Sequence, residues 1–198
     1  MKWTRAVHHL DALARTCAEM ATRPRTIFPL RVTELWAAGP VLDGPADIEF
    51  VTVALVVDLP AEDVPWLGEP VGAQHWASAV RLTKNPVAAR WRSARAPVWN
   101  HQLDRPVLLW DHVGGVAEET LDALRAERIE PLRLPAPTPD ELRERLTDEL
   151  AVSLRALRKA NRGYDDQRWR PGKLEPVADL LWRASEGYLD LLDALDAG

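Results

Sequence analysis

Asp47, Ile48 and Glu49 combine residue type and spacing in a way that suits a metal ion. They open a run rich in β-branched residues, Ile48–Val57, that reads as a strand. Alternate side chains of a strand point the same way, so both carboxylates share one side. Paired carboxylates are hard oxygen ligands of the kind Mg²⁺ takes, and Mg²⁺ in turn holds substrate phosphates. The same residues allow a plainer reading, with Asp47 capping a turn and Glu49 facing solvent at a sheet edge.

Two other groups have chemical potential. Trp91, Arg92, Arg95, Trp99, His101, Arg105 and Trp110 lie close in sequence. Arginine stacks on tryptophan, and such a set can hold a base and its phosphates. Alternatively, the indole rings fill core gaps while arginine stems run over them to solvent. The chain has nine Trp but only two Phe and two Tyr, so Trp must do much of the ordinary aromatic packing, which favours the second reading. The segment Gln167-Arg168-Trp169-Arg170-Pro171-Gly172-Lys173 is a basic loop able to clamp a phosphate or a partner's acidic face, or simply to turn the chain in solvent. The histidines do not assemble: His8 and His9 are adjacent, and His75, His101 and His112 are scattered, without metal-site or triad spacing. Cys17 is the only cysteine, so no intrachain disulfide forms, and its place in an apolar helical stripe predicts a buried thiol.

The elements that would position these residues follow from periodicity. Val7, Leu10, Ala14 and Cys17 predict a helix from Trp3 to about Met20. Arg31–Ala38 and Ile48–Val57 predict two strands, neighbours in one sheet, joined by the turn-rich 39–45 segment. The second is apolar on both faces, as in a covered central strand. Ala73–Leu82 fits a strand or a short helix. Pro86 to Arg95 reads as a helix with proline in its first turn, Val107–Trp110 as a third strand ending at Asp111, and Val116–Arg128 as a helix. Thr138-Pro139-Asp140-Glu141 is a capping box. It opens a helix with a stripe of Leu142, Leu146, Leu150, Leu154 and Leu157 that Gly163 helps to stop. A last helix from about Pro176 offers Val177, Leu181, Ala184, Tyr188, Leu191 and Leu195 as a matching seam. The fold class is therefore α/β (α+β): a small mixed sheet with flanking helices, residues 1–130, followed by a C-terminal antiparallel helical pair, residues 138–198, across a proline-rich linker.

A chain of 198 residues with 46% hydrophobic and 28% charged residues can bury a core. Its net charge of −5 argues against a general nucleic-acid binder, though not against a local basic groove. The N-terminus lacks the apolar stretch of a signal peptide, and the longest apolar run, within Phe50–Val57, is too short to cross a bilayer, so a cytoplasmic protein is expected.

The stretch from Leu35 to Phe50 resembles the signature of the nucleotidyltransferase superfamily: a strand ending in small residues, a short turn-rich segment, then Asp-x-Glu opening the next strand. The resemblance implies Asp47 and Glu49 as metal ligands, with Asp111, at the end of a later strand, as the third. It places Ala37, Ala38 and Gly39 in the turn that contacts nucleotide phosphates, where the family carries Gly-Ser or Gly-Gly. The implied activity is Mg²⁺-dependent transfer of a nucleotidyl group from a nucleoside triphosphate. The alternative is a catalytically inactive relative that binds or regulates. Over most of its length the chain also resembles an uncharacterised actinobacterial domain of unknown function, through segments such as Leu55–Pro60, Trp91-Arg92-Ser93, Ala96–His101 and Arg168–Leu174.

Overall fold

A computed structural model describes residues 1–197, the side chain of Thr83 excepted. Five strands form one mixed sheet: β1 (Val32–Ala38), β2 (Val51–Val57), β3 (Val87–Ser93), β4 (Val107–Asp111) and the short β5 (Gly115–Val116). Their spatial order is β3-β2-β1-β4-β5. β1 runs antiparallel to β2 and β4, whereas β2 and β3 are parallel. The helices are α1 (Trp3–Ala21), α2 (Ala73–Ala79), α3 (Glu118–Arg125), α4 (Pro139–Arg168) and α5 (Glu175–Asp196). This is a mixed α+β fold with a C-terminal helical pair, and the two strands flanking the turn-rich segment are neighbours, as expected.

The sheet is covered on both faces. Val32, Leu35, Ala37, Val51, Val53, Leu55, Val57 and Trp91 share a core with Leu10 and Cys17 of α1, Trp76 of α2 and Leu121 of α3. Ala38, Ala54 and Val56 belong to a second, smaller core with Leu146 of α4 and Leu191 of α5. Burial on both sides explains why β2 is apolar at every position from Val53 to Val57.

Pro86 to Arg95, expected as a helix, is the parallel strand β3. Its sequence Val-Ala-Ala-Arg-Trp-Arg-Ser suits a helix locally, since Ala and Arg are good helix formers. The deciding fact is remote: half-buried Arg90 and buried Arg92 lie on the sheet face opposite Trp91, and Arg92 meets Glu149 of α4 there, so the strand alternates between cation and apolar residue. The ambiguous 73–82 segment is helical over Ala73–Ala79. β2 begins at Val51, so Asp47 and Glu49 precede the strand.

α4 has 30 residues and runs through Gly163 to Arg168, rather than stopping at the glycine. An exposed helical glycine costs about 1 kcal/mol, which pairing with α5 offsets. The capping box forms: Thr138 Oγ1 accepts from the Glu141 amide at 3.3 Å, and Glu141 Oε2 accepts from the Thr138 amide at 2.7 Å. Across the hairpin seam only Leu146 and Leu191 are fully buried, while Leu150, Leu154, Leu157, Val177, Leu181 and Tyr188 are half-buried. Two helices alone cannot close over their seam; burial is complete only where the sheet supplies a third surface.

Candidate functional site

The strand register separates the carboxylates expected to share a cation. Asp111 is level with Glu34 of β1, whereas Thr52, at the start of β2, is level with Ala38. Those levels are four strand steps apart, about 13 Å, and Glu49 precedes the strand altogether. Asp47 and Glu49 are exposed on either side of buried Ile48, which pairs with the N-terminus: the Met1 ammonium donates to Ile48 O at 2.5 Å. Asp111 is committed to a turn, its Oδ1 accepting from the amides of Val113 at 2.8 Å and Gly114 at 2.6 Å. β3, which flanks β2, carries no acid. Among the described residues no three His, Cys, Asp or Glu are placed to hold a metal ion. These residues do not fit a divalent cation. Ala37 and Ala38 are fully buried in the sheet, so of the expected phosphate-contacting turn only Gly39, at φ 76°, reaches the surface.

The polar chemistry of the molecule sits elsewhere, between the carboxyl end of β3 and the hairpin. Arg92, 3% exposed, forms a buried ion pair with Glu149, 6% exposed. Arg92 Nη2 also donates to the carbonyls of Pro97 at 3.1 Å and Trp99 at 3.4 Å. Arg145, one turn before Glu149 on α4, forms an ion pair with the same carboxylate oxygen at 2.7 Å and donates to Pro97 O at 2.9 Å. Buried Asn100 completes the set, donating to Glu149 Oε2 at 3.0 Å. Burial opposes ionisation of Glu149, but Arg92, Arg145 and Asn100 outweigh it and hold the carboxyl below its ordinary range. Burial pushes the Arg145 guanidinium below its ordinary value; Glu149 pulls it back and Arg92 adds to the fall.

A second polar cluster adjoins the first. Asp190 of α5 accepts from Trp66 Nε1 at 2.6 Å and Gln102 Nε2 at 2.7 Å, and lies 2.8 Å from His101 Nε2. The guanidinium of Arg92 lies 5.3 Å from the Trp66 ring centre, and that of Arg90 5.9 Å. Gly187 permits α5 to approach the Trp66 backbone, because a Cβ there would fall on the Trp66 carbonyl oxygen. A cleft of about 250 Å³ opens beside the first cluster.

The tryptophan and arginine residues grouped in the sequence are thus divided by the sheet. Trp91 packs edge-on against Trp76 in the larger core, and Trp110 is buried there too. Arg92 and His101 join the polar clusters on the other face, while Arg105 pairs with Glu130 at 2.6 Å. Sequence reading passed over Glu149 and Asp190. The available signal was a carboxylate set among the apolar positions of each helix. Cys17 is buried, and burial pushes its thiol up to about 12, as suits a structural residue.

The distal hairpin differs in kind. No residue from 154 to 186 is buried. Arg155, Arg158, Lys159 and Arg162 follow i, i+3, i+4, i+7 spacing, which places them on one face of α4. All four are exposed, and among the described residues none is ion-paired. Residues 154–174 carry seven Arg or Lys and two Asp, a charge of +5 in a chain of net −5, so the remainder carries −10. Trp169 is 79% exposed at the turn, under the Arg168 guanidinium at 4.7 Å. Trp182 is 63% and Leu189 50% exposed on α5.

Among the described residues no helix is long and apolar enough to cross a membrane. Over residues 1–197 the chain matches the family described as a domain of unknown function, DUF7711, and it belongs to that family. It has no significant match among curated proteins and none among solved structures.

Proposed function

We propose that the protein is a non-catalytic binding protein, whose α/β body holds out the distal hairpin to dock on an acidic face of a partner protein. The observation that carries this reading is the charge division: a basic stripe on a helix face without buried residues, attached to an acidic body. The stripe stands on a projecting element, and over distances beyond the Debye length, about 8 Å at physiological salt, the body's negative charge is screened. A partner therefore meets the arm as a locally basic surface.

Exposed Trp169 and Leu180 on the arm favour a protein over a nucleic acid. Protein interfaces bury Trp and Arg at their energetic centres, whereas affinity for a phosphate backbone comes chiefly from cations. The separation of Asp47 and Glu49 from Asp111 supports binding in preference to Mg²⁺-dependent nucleotidyl transfer.

Fluorescence anisotropy tests the reading with two probes, a labelled peptide rich in Asp, Glu and Leu and a labelled short DNA duplex. The expected result is salt-dependent binding of the peptide that is lost when Arg155, Arg158, Lys159 and Arg162 are all changed to Glu, with an unchanged melting temperature. Tighter binding of the duplex would reassign the partner to nucleic acid. Failure of the unaltered protein to bind either probe would remove the reading.

A further inference from the structure

The cleft between the carboxyl end of β3 and α4 is not explained by docking at the distal arm. Its walls include Val64, Trp66, Arg92, Ser93, Arg95 and Arg145. It lies where parallel β2 and β3 both end and their following loops diverge, the usual place for a ligand crevice in a sheet with parallel strands.

Charge in this cleft is unbalanced. Two guanidinium groups, Arg92 and Arg145, share the single buried carboxylate of Glu149. Asp148, also on the wall, is exposed to water. Arg92 reaches all three of its hydrogen-bonding acceptors through Nη2, and the buried Nε atoms of Arg92 and Arg145 have no partner. Arg95 stands exposed on the same wall, in no ion pair among the described residues. A buried cation without a full counter-charge is costly, and a small anion entering from the mouth would balance it.

We propose that this cleft binds a small anion, a phosphate or carboxylate group carried on a compact body. The anionic group lies between Arg145 and Arg95, with Arg92 behind it. Val64 and Trp66 receive the apolar part. The volume, about 250 Å³, is below the usual range for drug-sized ligands and limits the occupant to a few heavy atoms beyond the anionic group.

The test is thermal unfolding of the full chain in inorganic phosphate and, separately, in isobutyrate, with ionic strength held constant by sodium chloride. The expected result is a saturable rise in melting temperature with at least one of the two. Phosphate alone acting would assign a phosphate ligand, and isobutyrate alone a carboxylate. Arg95→Ala, at an exposed position, should leave the ligand-free melting temperature unchanged and weaken the ligand effect about tenfold, as for loss of one charge-assisted hydrogen bond. No rise beyond the chloride control with either anion would overturn the proposal. An effect that survives in Arg95→Ala but disappears when the α4 stripe is reversed would also overturn it, by placing the anion on the arm.

Discussion

At its base the hairpin buries Leu146, Glu149, Ser153, Gly187 and Leu191, while from 154 to 186 no residue of the same two helices is more than half-buried. The base has ion pairs that reach across more than fifty residues of chain, such as Arg92 with Glu149. Farther out, Arg155, Arg158, Lys159 and Arg162 pair with nothing among the described residues. An apolar seam of similar spacing therefore has different consequences at its two ends. A third surface turns it into core and forces any charge there to find a partner. Without that surface the seam only holds two helices together and leaves their outer faces available.

The largest expected effect tests the base. Glu149→Gln leaves buried Arg92 and half-buried Arg145 without their shared counter-charge and should cost about 3–5 kcal/mol in urea unfolding. A loss under about 1 kcal/mol would mean that the ion pair does not organise the base. The same residue sets a pH dependence. Because its folded value is depressed, its contribution is fully present above the unfolded value, 4.5, and fades as pH falls through the lower folded value. The unaltered protein should lose stability below about pH 4.5 more steeply than Glu149→Gln does.

Next in size is a matched pair of truncations. Leu191→Ala, in the smaller core, should cost roughly 2–5 kcal/mol. Leu157→Ala, half-buried between helices alone, should cost less than half as much. Equal losses would show that the distal seam is closed by something other than the two helices. A smaller effect is expected on the arm: each charge reversal in the α4 stripe should change stability by no more than about 0.5 kcal/mol, while all four together abolish binding to the acidic peptide. The smallest concerns the exposed acids. Asp47→Asn and Glu49→Gln should each stay within about 0.5 kcal/mol, and Mg²⁺ with a nucleoside triphosphate should shift the melting temperature of neither variant nor the unaltered protein. A shift lost on Asp47→Asn would restore the metal reading.

Local patterns made much of the fold legible. The capping box at Thr138, the apolar stripe of α1, the β-branched run of β2 and the Leu and Val seams of the hairpin each express a periodicity of the chain with itself. Such periodicity is set by backbone geometry and needs no distant partner. The short turn-rich 39–45 segment placed two strands side by side, but nothing local could place Asp111, because strand register is fixed by pairing and not by sequence distance. β3 was not legible as a strand because buried Arg92 is intelligible only with Glu149 of α4 in place. The candidate site escaped for the same reason: Arg92, Asn100, Glu149 and Asp190 come from three distant parts of the chain. The sequence by itself determined the long helices α1, α4 and α5, the strands β1, β2 and β4, and which of their faces are apolar. Only the tertiary structure decided which charges are buried together, since the cost of burying a charge depends on what the fold brings beside it.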